Sequence, residues 1–282
     1  MKKVLVIVVT YNGRPWLDRC LSSVISSGAE GAVEKSLFVV DNDSTDGSAE
    51  YVSAHFPQAR VVRSAENLGF SKANNLGFEY AFKKGYDYVY LLNQDAWLAP
   101  GALEVLVAAA EAHPDYAVLS PLQYQDGYTQ LDKLFLQDKT PPAAHWLVPV
   151  GALKAIGPFE EELFPLYGQD DDWCNRARYH GYKVVVVPEA KAVHDRAQRQ
   201  EAKEKLIFRN YYTGSLIRLC DVNRPLWERF LFVCLFTLVK SVKYGSLLPF
   251  KYYRQICGQL PAVRRHRNRT FSCHSANKVL PL

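Results

Sequence analysis

Carboxylate, amide and hydroxyl side chains are concentrated at three points early in the chain, each directly after a run of apolar residues. These clusters contain Thr10, Tyr11 and Asn12, then Asp41 and Asp43, then Asn93 and Asp95. Oxygen ligands suit Mg²⁺ or Mn²⁺, and a cation that touches a diphosphate neutralises the charge that grows as this group leaves. Asp95 is therefore a predicted metal ligand, although an aspartate after a strand can also simply cap the next helix.

The second cluster suits a nucleoside. Asp41 adjoins an apolar strand, where it has no evident local structural role, and its carboxylate could accept the imide N–H of a uracil or thymine ring. Asp43 would then lie near the ribose or the metal. Residues 44–48 are turn and helix-cap formers, and they need no ligand to explain them.

A glycine-containing loop at residues 67–77 leads into a predicted helix. Backbone N–H groups at a helix start attract anions, so Asn67, Gly69 and Lys72 are candidate contacts of the nucleotide. The segment lacks the spaced glycine that precedes the lysine of a Walker phosphate loop.

A second acidic group follows much later, at Gln169, Asp170, Asp171 and Asp172. When a sugar is transferred from a diphosphate with inversion at the attacked carbon, a base must take the proton of the attacking hydroxyl. This base lies on the face opposite the diphosphate. Adjacent carboxylates raise one another's pKa, which suits one of them to that role. The alternative is a solvated helix N-terminus, where acids are common. His194 is a further candidate metal ligand or a structural histidine.

The elements that would position these residues alternate between strand and helix. Strands are predicted at residues 4–9, 37–40, 60–63 and 87–92, and helices at 15–27, from about 47, at 71–84 and after Pro100. This order predicts an α/β fold with a mostly parallel sheet, whose ligands bind at the carboxyl ends of the strands. The polar clusters would therefore meet in one crevice.

Later segments are predicted as a loop at 123–144, strands at 146–150 and 183–187, helices at 153–156 and 170–180, and further helices from 201. Six scattered cysteines without a Cys-x-x-Cys pair indicate neither a disulfide framework nor a zinc site. Residues 4–9 are interpreted as a buried strand and not as a signal peptide, so a cytoplasmic protein is expected.

The charge of +5 is unevenly distributed. Residues 222–282 contain eleven lysines or arginines and one acid, whereas the rest contains 23 basic and 28 acidic residues. The apolar run 230–239 is about half the length of a membrane span. The arginine-rich patch at 264–269 is predicted to contact an anionic membrane surface, and the helix before it either does the same or packs on the protein. The patch lacks the interleaved aromatics of a nucleic-acid site.

Together these residues resemble the family 2 inverting glycosyltransferases, which have the GT-A fold, a Rossmann-like α/β architecture. The resemblance covers roughly residues 3–220 and rests on an ordered series of motifs at 8–12, 39–48, 67–77, 92–95, 156–172 and 193–194. Asn93 replaces the first acid of the family's Asp-x-Asp metal motif, and Gln169 replaces its glutamate before the base. The sequence looks most like the rhamnosyl- and galactofuranosyltransferase branch.

The resemblance implies a role for each residue group. Asp170 would be the catalytic base, and Asp95 with His194 would hold Mg²⁺ or Mn²⁺. The nucleotide would contact Thr10, Tyr11, Asn12, Asp41, Asp43, Asn67, Gly69, Lys72 and Asn93. The acceptor side would include Trp146, Gln169, Asp171 and Asp172.

The expected enzyme adds one sugar from a UDP- or dTDP-sugar to a glycan or lipid-linked acceptor in cell-surface polysaccharide synthesis. It would act as a peripheral protein at the inner face of the cell membrane, without nucleic acid. Residues 1–220 would form the catalytic domain, with a nucleotide half (1–120) and an acceptor half (121–220), and 221–282 a basic helical extension.

Two other functions remain open at this stage. A sugar nucleotidylyltransferase would share the sheet, but its usual glycine-rich N-terminal loop with a basic residue does not occur at residues 9–13. A catalytically silent glycan-binding scaffold is compatible with Asn93 and Gln169. A processive synthase is disfavoured, because its Gln-x-x-Arg-Trp motif and multiple spans are missing from the sequence.

Overall fold

The computed structural model describes residues 1–25, 33–125, 127–131, 140–195 and 208–279. Within these residues the strands are β1 (Lys2–Thr10), β2 (Val33–Asp41), β3 (Arg60–Arg63), β4 (Tyr88–Asn93), β5 (Ala96–Leu98), β6 (Tyr116–Tyr124), β7 (His145–Pro149) and β8 (Lys183–His194). The helices before the extension are α1 (Arg14–Ile25), α2 (Ser48–His55), α3 (Gly69–Lys84), α4 (Ala102–Ala112), α5 (Val150–Ile156) and α6 (Gln169–Tyr179).

The strands form one sheet in the order β3-β2-β1-β4-β7-β6-β8-β5. Strands β3, β2, β1 and β4 are parallel, as is the pair β6 and β8, whereas β7 is antiparallel to both neighbours and β5 is antiparallel to β8. The mostly parallel α/β sheet is confirmed. Strands β5 and β6 were not predicted, and β6 runs into the predicted loop at 123–144, part of which lies outside the described residues.

Both faces of the sheet are buried because alternate residues of β1 enter different cores. Val4, Val6 and Val8 pack with α1 and α4 on one face. Leu5 and Ile7 pack with α3, α5 and α6 on the other. A strand covered on both sides needs an unbroken apolar sequence, which explains the run predicted at residues 4–9.

The C-terminal part is helical. A π-helical segment (Phe208–Thr213) is followed by α7 (Gly214–Cys220), α8 (Leu226–Tyr244), α9 (Leu248–Gly258) and α10 (Leu260–Val279). A third apolar core joins these helices to Leu163 and Phe164, in the segment before α6. The extension therefore supports the segment that leads into the predicted base. The predicted helix between 201 and 207 lies outside the described residues, and the domain boundary at 220 stays a prediction.

The arginine-rich patch bonds in part to the protein, and its contact with a membrane surface stays a prediction. Arg265 bonds to Glu162, and Arg269 bonds to Glu160. Arg267 is buried and donates to the backbone oxygen of Leu219. A cluster of arginines has the same sequence pattern when it faces solvent and when it bonds to acidic residues distant in sequence. These arginines attach α10 to the acceptor half.

Across the described residues, no helix combines the length and the apolar character needed to cross a membrane.

Candidate active site

The three polar clusters lie at one edge of the sheet, as the sequence predicts. In the strand register, Thr10 of β1 is paired with Asp41 of β2, and Val9 is paired with Asn93 of β4. The parallel strands β1, β2 and β4 therefore end side by side, and the polar residues after each end share the same edge.

A cleft of about 750 Å³ lies at this edge, between the nucleotide half and the segment before α6. The predicted site residues that line it are Tyr11, Asn67, Gly69, Asn93, Asp95, Gln169, Asp170 and His194. Residues from separate parts of the sequence thus share one cavity. Its volume is in the range typical of small-ligand sites.

Gly69 lets the two walls of the cleft approach each other. Its φ angle is +76°, and a Cβ atom there would lie 2.6 Å from the carbonyl oxygen of Pro165. Beside it, the hydroxyl of Ser71 donates to the carbonyl oxygen of Phe164, and the amide of Asn75 bonds to Phe159. Only glycine fits such a close backbone contact without displacement.

Asp95 and His194 meet in the cleft because β5 pairs with β8. Ala96 is paired with His194, and the backbone N–H of Asp195 donates to the backbone oxygen of Asp95. The Oδ1 atom of Asp95 lies 3.5 Å from Nε2 of His194. Two atoms that each bind a small divalent ion at about 2.1 Å lie at most about 4.2 Å apart. The pair therefore fits a shared Mg²⁺ or Mn²⁺ ion, which would supply positive charge for a diphosphate.

His145 fixes the strand end next to this pair. Its Nε2 donates to the carbonyl oxygen of Val193, which leaves Nδ1 to accept the hydroxyl of Tyr90. Burial lowers the pKa of His145 to about 3, so the ring is neutral under ordinary conditions. It holds β7 against the end of β8, where His194 lies, without adding charge.

Asp170 lies in the first turn of helix α6 and also lines the cleft. Burial and the neighbouring Asp171 carboxylate raise the pKa of Asp170 to about 7, although backbone N–H groups oppose this shift. A carboxylate with a pKa near neutrality can accept a proton from an alcohol more readily than an ordinary aspartate can. Beside it, the Oε1 atom of buried Gln169 has no hydrogen-bond partner among the described residues.

One carboxylate at the end of β2 has a buried oxygen without a hydrogen-bond partner among the described residues. Asp41 is buried at the end of β2, and its Oδ1 atom has no hydrogen-bond partner among the described residues. Among the described residues, its Oδ2 accepts the backbone N–H of Ser44, at 3.4 Å. An unpaired buried carboxylate oxygen is costly. Asp41 itself does not line the cleft, so its contact with the N–H group of a pyrimidine base stays a prediction.

Several predicted contacts serve the protein itself and do not line the cleft. The hydroxyl of Thr10 donates to Gln94, and the side chain of Asn12 accepts the backbone N–H of Thr45. Asp43 is exposed and Lys72 lies 4.0 Å from Glu66. These polar types satisfy loop backbone as readily as a ligand, which the sequence pattern does not distinguish.

Of the four predicted acceptor-side residues, Gln169 lines the cleft and the other three do not, so their roles stay predictions. Trp146 is 1% exposed, and its indole N–H donates to the backbone of Pro141 inside the core. Asp172 faces away from the cleft, toward Arg176 and His266, and Asp171 is absent from the cleft lining. The rotation of a helix by about 100° per residue separates adjacent acids in this way.

Sequence reasoning missed several lining residues. Gln94 accepts both the hydroxyl of Thr10 and the backbone N–H of Tyr11 at 2.8 Å, so it joins β4 to the end of β1. Asn42 donates to Asn67 and accepts the N–H of Leu68. The other lining residues are Val9, Phe70, Pro142, Ala143, Ala144, Leu166 and Tyr167. Gln94 and Asn42 each stand inside a predicted cluster, which was the available signal.

A second group of ligand-type side chains, Asp172, Cys220 and His266, lies behind α6. Its chemistry does not suit a cation. Asp172 already bonds to Arg176 at 2.9 Å, and both nitrogens of His266 face carboxylates. Burial raises the pKa of Cys220, so its thiol stays protonated. This cluster is a buried ion-pair network.

Comparison with known sequences decides the family. Residues 5–147, just over half of the chain, match the family described as Glycosyl transferase family 2. The chain belongs to this family. This family 2 protein is a glycosyltransferase, and the resemblance seen in its motifs is confirmed.

One relative of this family 2 chain is the N-acetylglucosaminyl-diphospho-decaprenol L-rhamnosyltransferase of Mycobacterium tuberculosis (strain CDC 1551 / Oshkosh). The two are 27% identical, and the alignment covers 79% of this chain and 86% of the relative.

Solved structures confirm the fold. The S. aureus TarS structure is 18% identical with a TM-score of 0.61, and the match covers 82% of this family 2 chain and 42% of that longer protein. The mannosyltransferase PcManGT from Pyrobaculum calidifontis, solved with GDP-Man and Mn²⁺, is 18% identical with a TM-score of 0.57, over 99% of this chain and 76% of that one. The GT-A architecture is thereby confirmed, with its C-terminal helices.

Proposed function

We propose that the chain transfers one sugar, with inversion, from a UDP- or dTDP-sugar to a hydroxyl of a glycan or lipid-linked acceptor in cell-surface polysaccharide synthesis. The observation that carries this proposal is that Asp95, His194 and Asp170 line one cleft, with the Asp–His pair and the aspartate supplied by different segments. The M. tuberculosis relative, named for a rhamnosyl transfer to a lipid-linked diphosphate, supports the acceptor class.

The nucleotide side recognises the donor through three groups. Asp41 accepts the N–H of the base with its unpartnered oxygen. Tyr11, half exposed at the cleft, offers a ring face to the nucleoside, and Asn67 with Gly69 lies along the wall toward the diphosphate. Asp95 and His194 would hold the divalent cation, which would neutralise the charge of the leaving diphosphate.

Asp170 performs the proton transfer. The acceptor oxygen attacks the anomeric carbon while the bond from that carbon to the diphosphate oxygen breaks. The hydroxyl proton passes to the Asp170 carboxylate, and the electron pair of the broken bond stays on the diphosphate. Attack from the side opposite the leaving group inverts the anomeric configuration.

The reaction is proposed to occur at the inner face of the cell membrane, in a peripheral enzyme. The cysteines are all free thiols, which fits the reducing cytoplasm. A lipid-linked acceptor, as in the M. tuberculosis relative's name, would bring the substrate to that surface. The basic extension supplies the charge for the contact.

Replacement of the proposed base and of the proposed metal ligand should give different defects. Asp170→Asn should reduce sugar transfer by about 10³-fold, while binding of UDP with Mn²⁺ stays near the wild-type value. Asp95→Ala and His194→Ala should each weaken Mn²⁺-dependent UDP binding by roughly ten-fold or more. Turnover and calorimetric nucleotide affinity are measured on the same preparations.

Asp115→Asn is the matched control, because Asp115 is exposed outside the cleft lining. Substantial transfer by the Asp170→Asn protein would remove the base assignment. Binding of UDP without turnover toward any nucleotide sugar in the wild type would instead favour the silent scaffold.

A further inference from the structure

Helix α8 presents apolar side chains on the face that points away from the protein. Its inner face is marked by the buried residues Val233 and Thr237. Its outer face carries six apolar residues that are 54–85% exposed: Trp227, Leu231, Leu235, Leu238, Val239 and Val242. Their spacing of three and four residues places them along one side of the helix. We call these six residues the α8 outer face.

This arrangement is unusual for a helix on the surface of a protein in water. The exposed side of such a helix is normally polar, and a helix that is apolar all round is normally covered. The pattern continues after α8, where Leu247 is 78% exposed and Phe250 is 42% exposed. A contiguous apolar surface of this kind marks an interaction site.

The charges around this surface indicate an anionic partner. Lys243, the residue after Val242, is exposed, and Lys251 and Arg254 are exposed on α9. Glu228 is the single acidic residue of the segment 222–282, which has eleven basic residues. A second copy of the chain would bring two positively charged surfaces together, which is electrostatically unfavourable.

We propose that the α8 outer face docks in the plane of an anionic lipid bilayer. Trp227 and the leucines enter the boundary between headgroups and acyl chains, while the lysines and Arg254 contact the phosphate headgroups. The docking surface is thus formed by α8 and α9, while Arg265, Arg267 and Arg269 of the arginine-rich patch bond to the protein.

The docked helix is also connected to the cleft through a shared apolar core. This part of the proposal rests on the proposed function. Val233, on the inner face of α8, packs in the same core as Leu163 and Phe164. Those residues lead directly to Leu166 and Tyr167, which line the cleft. The bilayer-bound helix and the acceptor wall are therefore parts of one packed unit, which suits an acceptor that is anchored in the same bilayer.

Sedimentation with vesicles tests the docking. The full-length protein is mixed with vesicles of phosphatidylcholine, with or without phosphatidylglycerol. We expect binding that is roughly ten-fold stronger when phosphatidylglycerol is present. The double variant Leu235→Ser, Leu238→Ser should lose at least about ten-fold in binding, since two large apolar side chains no longer enter the lipid. Lys243→Gln with Lys251→Gln should reduce the preference for phosphatidylglycerol.

Ile25→Ser is the matched control, because Ile25 is 50% exposed at the end of α1, outside the extension. Vesicle binding that is unchanged in the leucine variant, or absent in the wild type, overturns the proposal. So does a dimer in sedimentation velocity that dissociates in the leucine variant. Binding of UDP with Mn²⁺ is measured for each protein: it should stay unchanged, and its absence in the wild type would count against the proposed function alone.

Discussion

Two aspartates on the first turn of α6, two residues apart, lie in opposite electrostatic environments. Asp170 faces the cleft, and burial together with Asp171 raises its pKa to about 7. Burial acts on Asp172 in the same direction, but the Arg176 and His266 cations hold the pKa of Asp172 below its ordinary value. On the side of the turn that faces the cleft, called its front, Asp170 has a pKa near neutrality. On the opposite side, called its back, Asp172 stays ionised. The neighbours decide which acid does chemistry.

The back of the turn is a structural connection. His266 of α10 lies between two carboxylates, with Nε2 2.8 Å from Asp172 and Nδ1 3.2 Å from Glu160. Burial lowers the pKa of His266, but the two carboxylates outweigh this effect and raise it above its ordinary value. The C-terminal helix thereby fixes the turn that carries Asp170. The same sequence motif contains both the proposed base, Asp170, and the residue that anchors its turn, Asp172.

The largest expected effect is on stability at the back of the turn. Asp172→Asn leaves Arg176 and His266 buried without their common anion, so the free energy of unfolding should fall by about 3–5 kcal/mol. Urea denaturation at neutral pH measures it. Asp115→Asn, which removes an exposed ion pair with Lys183, is the control and should change little. Equal effects of the two changes would show that the buried network does not stabilise α6.

Replacement of His266 should have a smaller and pH-dependent effect. His266→Ala should cost about 2 kcal/mol, because Arg176 and Arg269 still neutralise Asp172 and Glu160. The raised pKa of His266 means that its contribution is full below about pH 6.5 and is lost as pH rises through the folded-state pKa. Because the folded-state pKa of Asp172 is lowered, the stabilisation by His266 is also lost at acid pH, as pH falls through the pKa of Asp172.

The difference between wild type and His266→Ala should therefore be largest between about pH 4 and pH 6.5. Urea titrations across pH 4–9 measure this difference. A constant difference across the whole range would mean that His266 acts through packing and not through its charge.

The sequence predicted the front of this turn better than the back. Asp170 follows from the adjacent acids and the family motif, and Asp95 and the strand ends follow from apolar runs that end in polar residues. His266 is 94 positions from Asp172, and a histidine within an arginine-rich segment gives no sign of a buried partner. Likewise, β5 was too short to be predicted, although its pairing with β8 brings Asp95 to His194.

A change at the front of the turn should stabilise the protein while it removes activity. The raised pKa of Asp170 means that its ionised form opposes folding, so stability falls as pH rises from the ordinary value of 3.8 toward about 7. Asp170→Asn should increase the free energy of unfolding by about 1–2 kcal/mol at pH 8. Below pH 4 the two proteins should be equally stable. Urea denaturation at both pH values checks this, and a loss of stability at pH 8 would contradict the burial of the charge.

The smallest expected effect is a shift of the pH–rate profile. Asp171→Asn removes the neighbouring charge that helps to raise the pKa of Asp170. The acidic limb of kcat should therefore move to lower pH, by about one unit or less. Transfer rates from pH 5 to pH 9 measure it. A limb that stays in place, or moves to higher pH, would mean that the limb reports another group.

The cleft in front of α6 and the buried cluster behind it should differ most directly in whether they bind a cation. Crystals soaked with Mn²⁺ and UDP, measured at the manganese absorption edge, would locate the ion by its anomalous signal. We expect one ion in contact with Asp95 Oδ1 and His194 Nε2, in the cleft that Asp170 also lines. An ion held by Asp172, Cys220 and His266, with the Asp95–His194 pair left without metal, would contradict it.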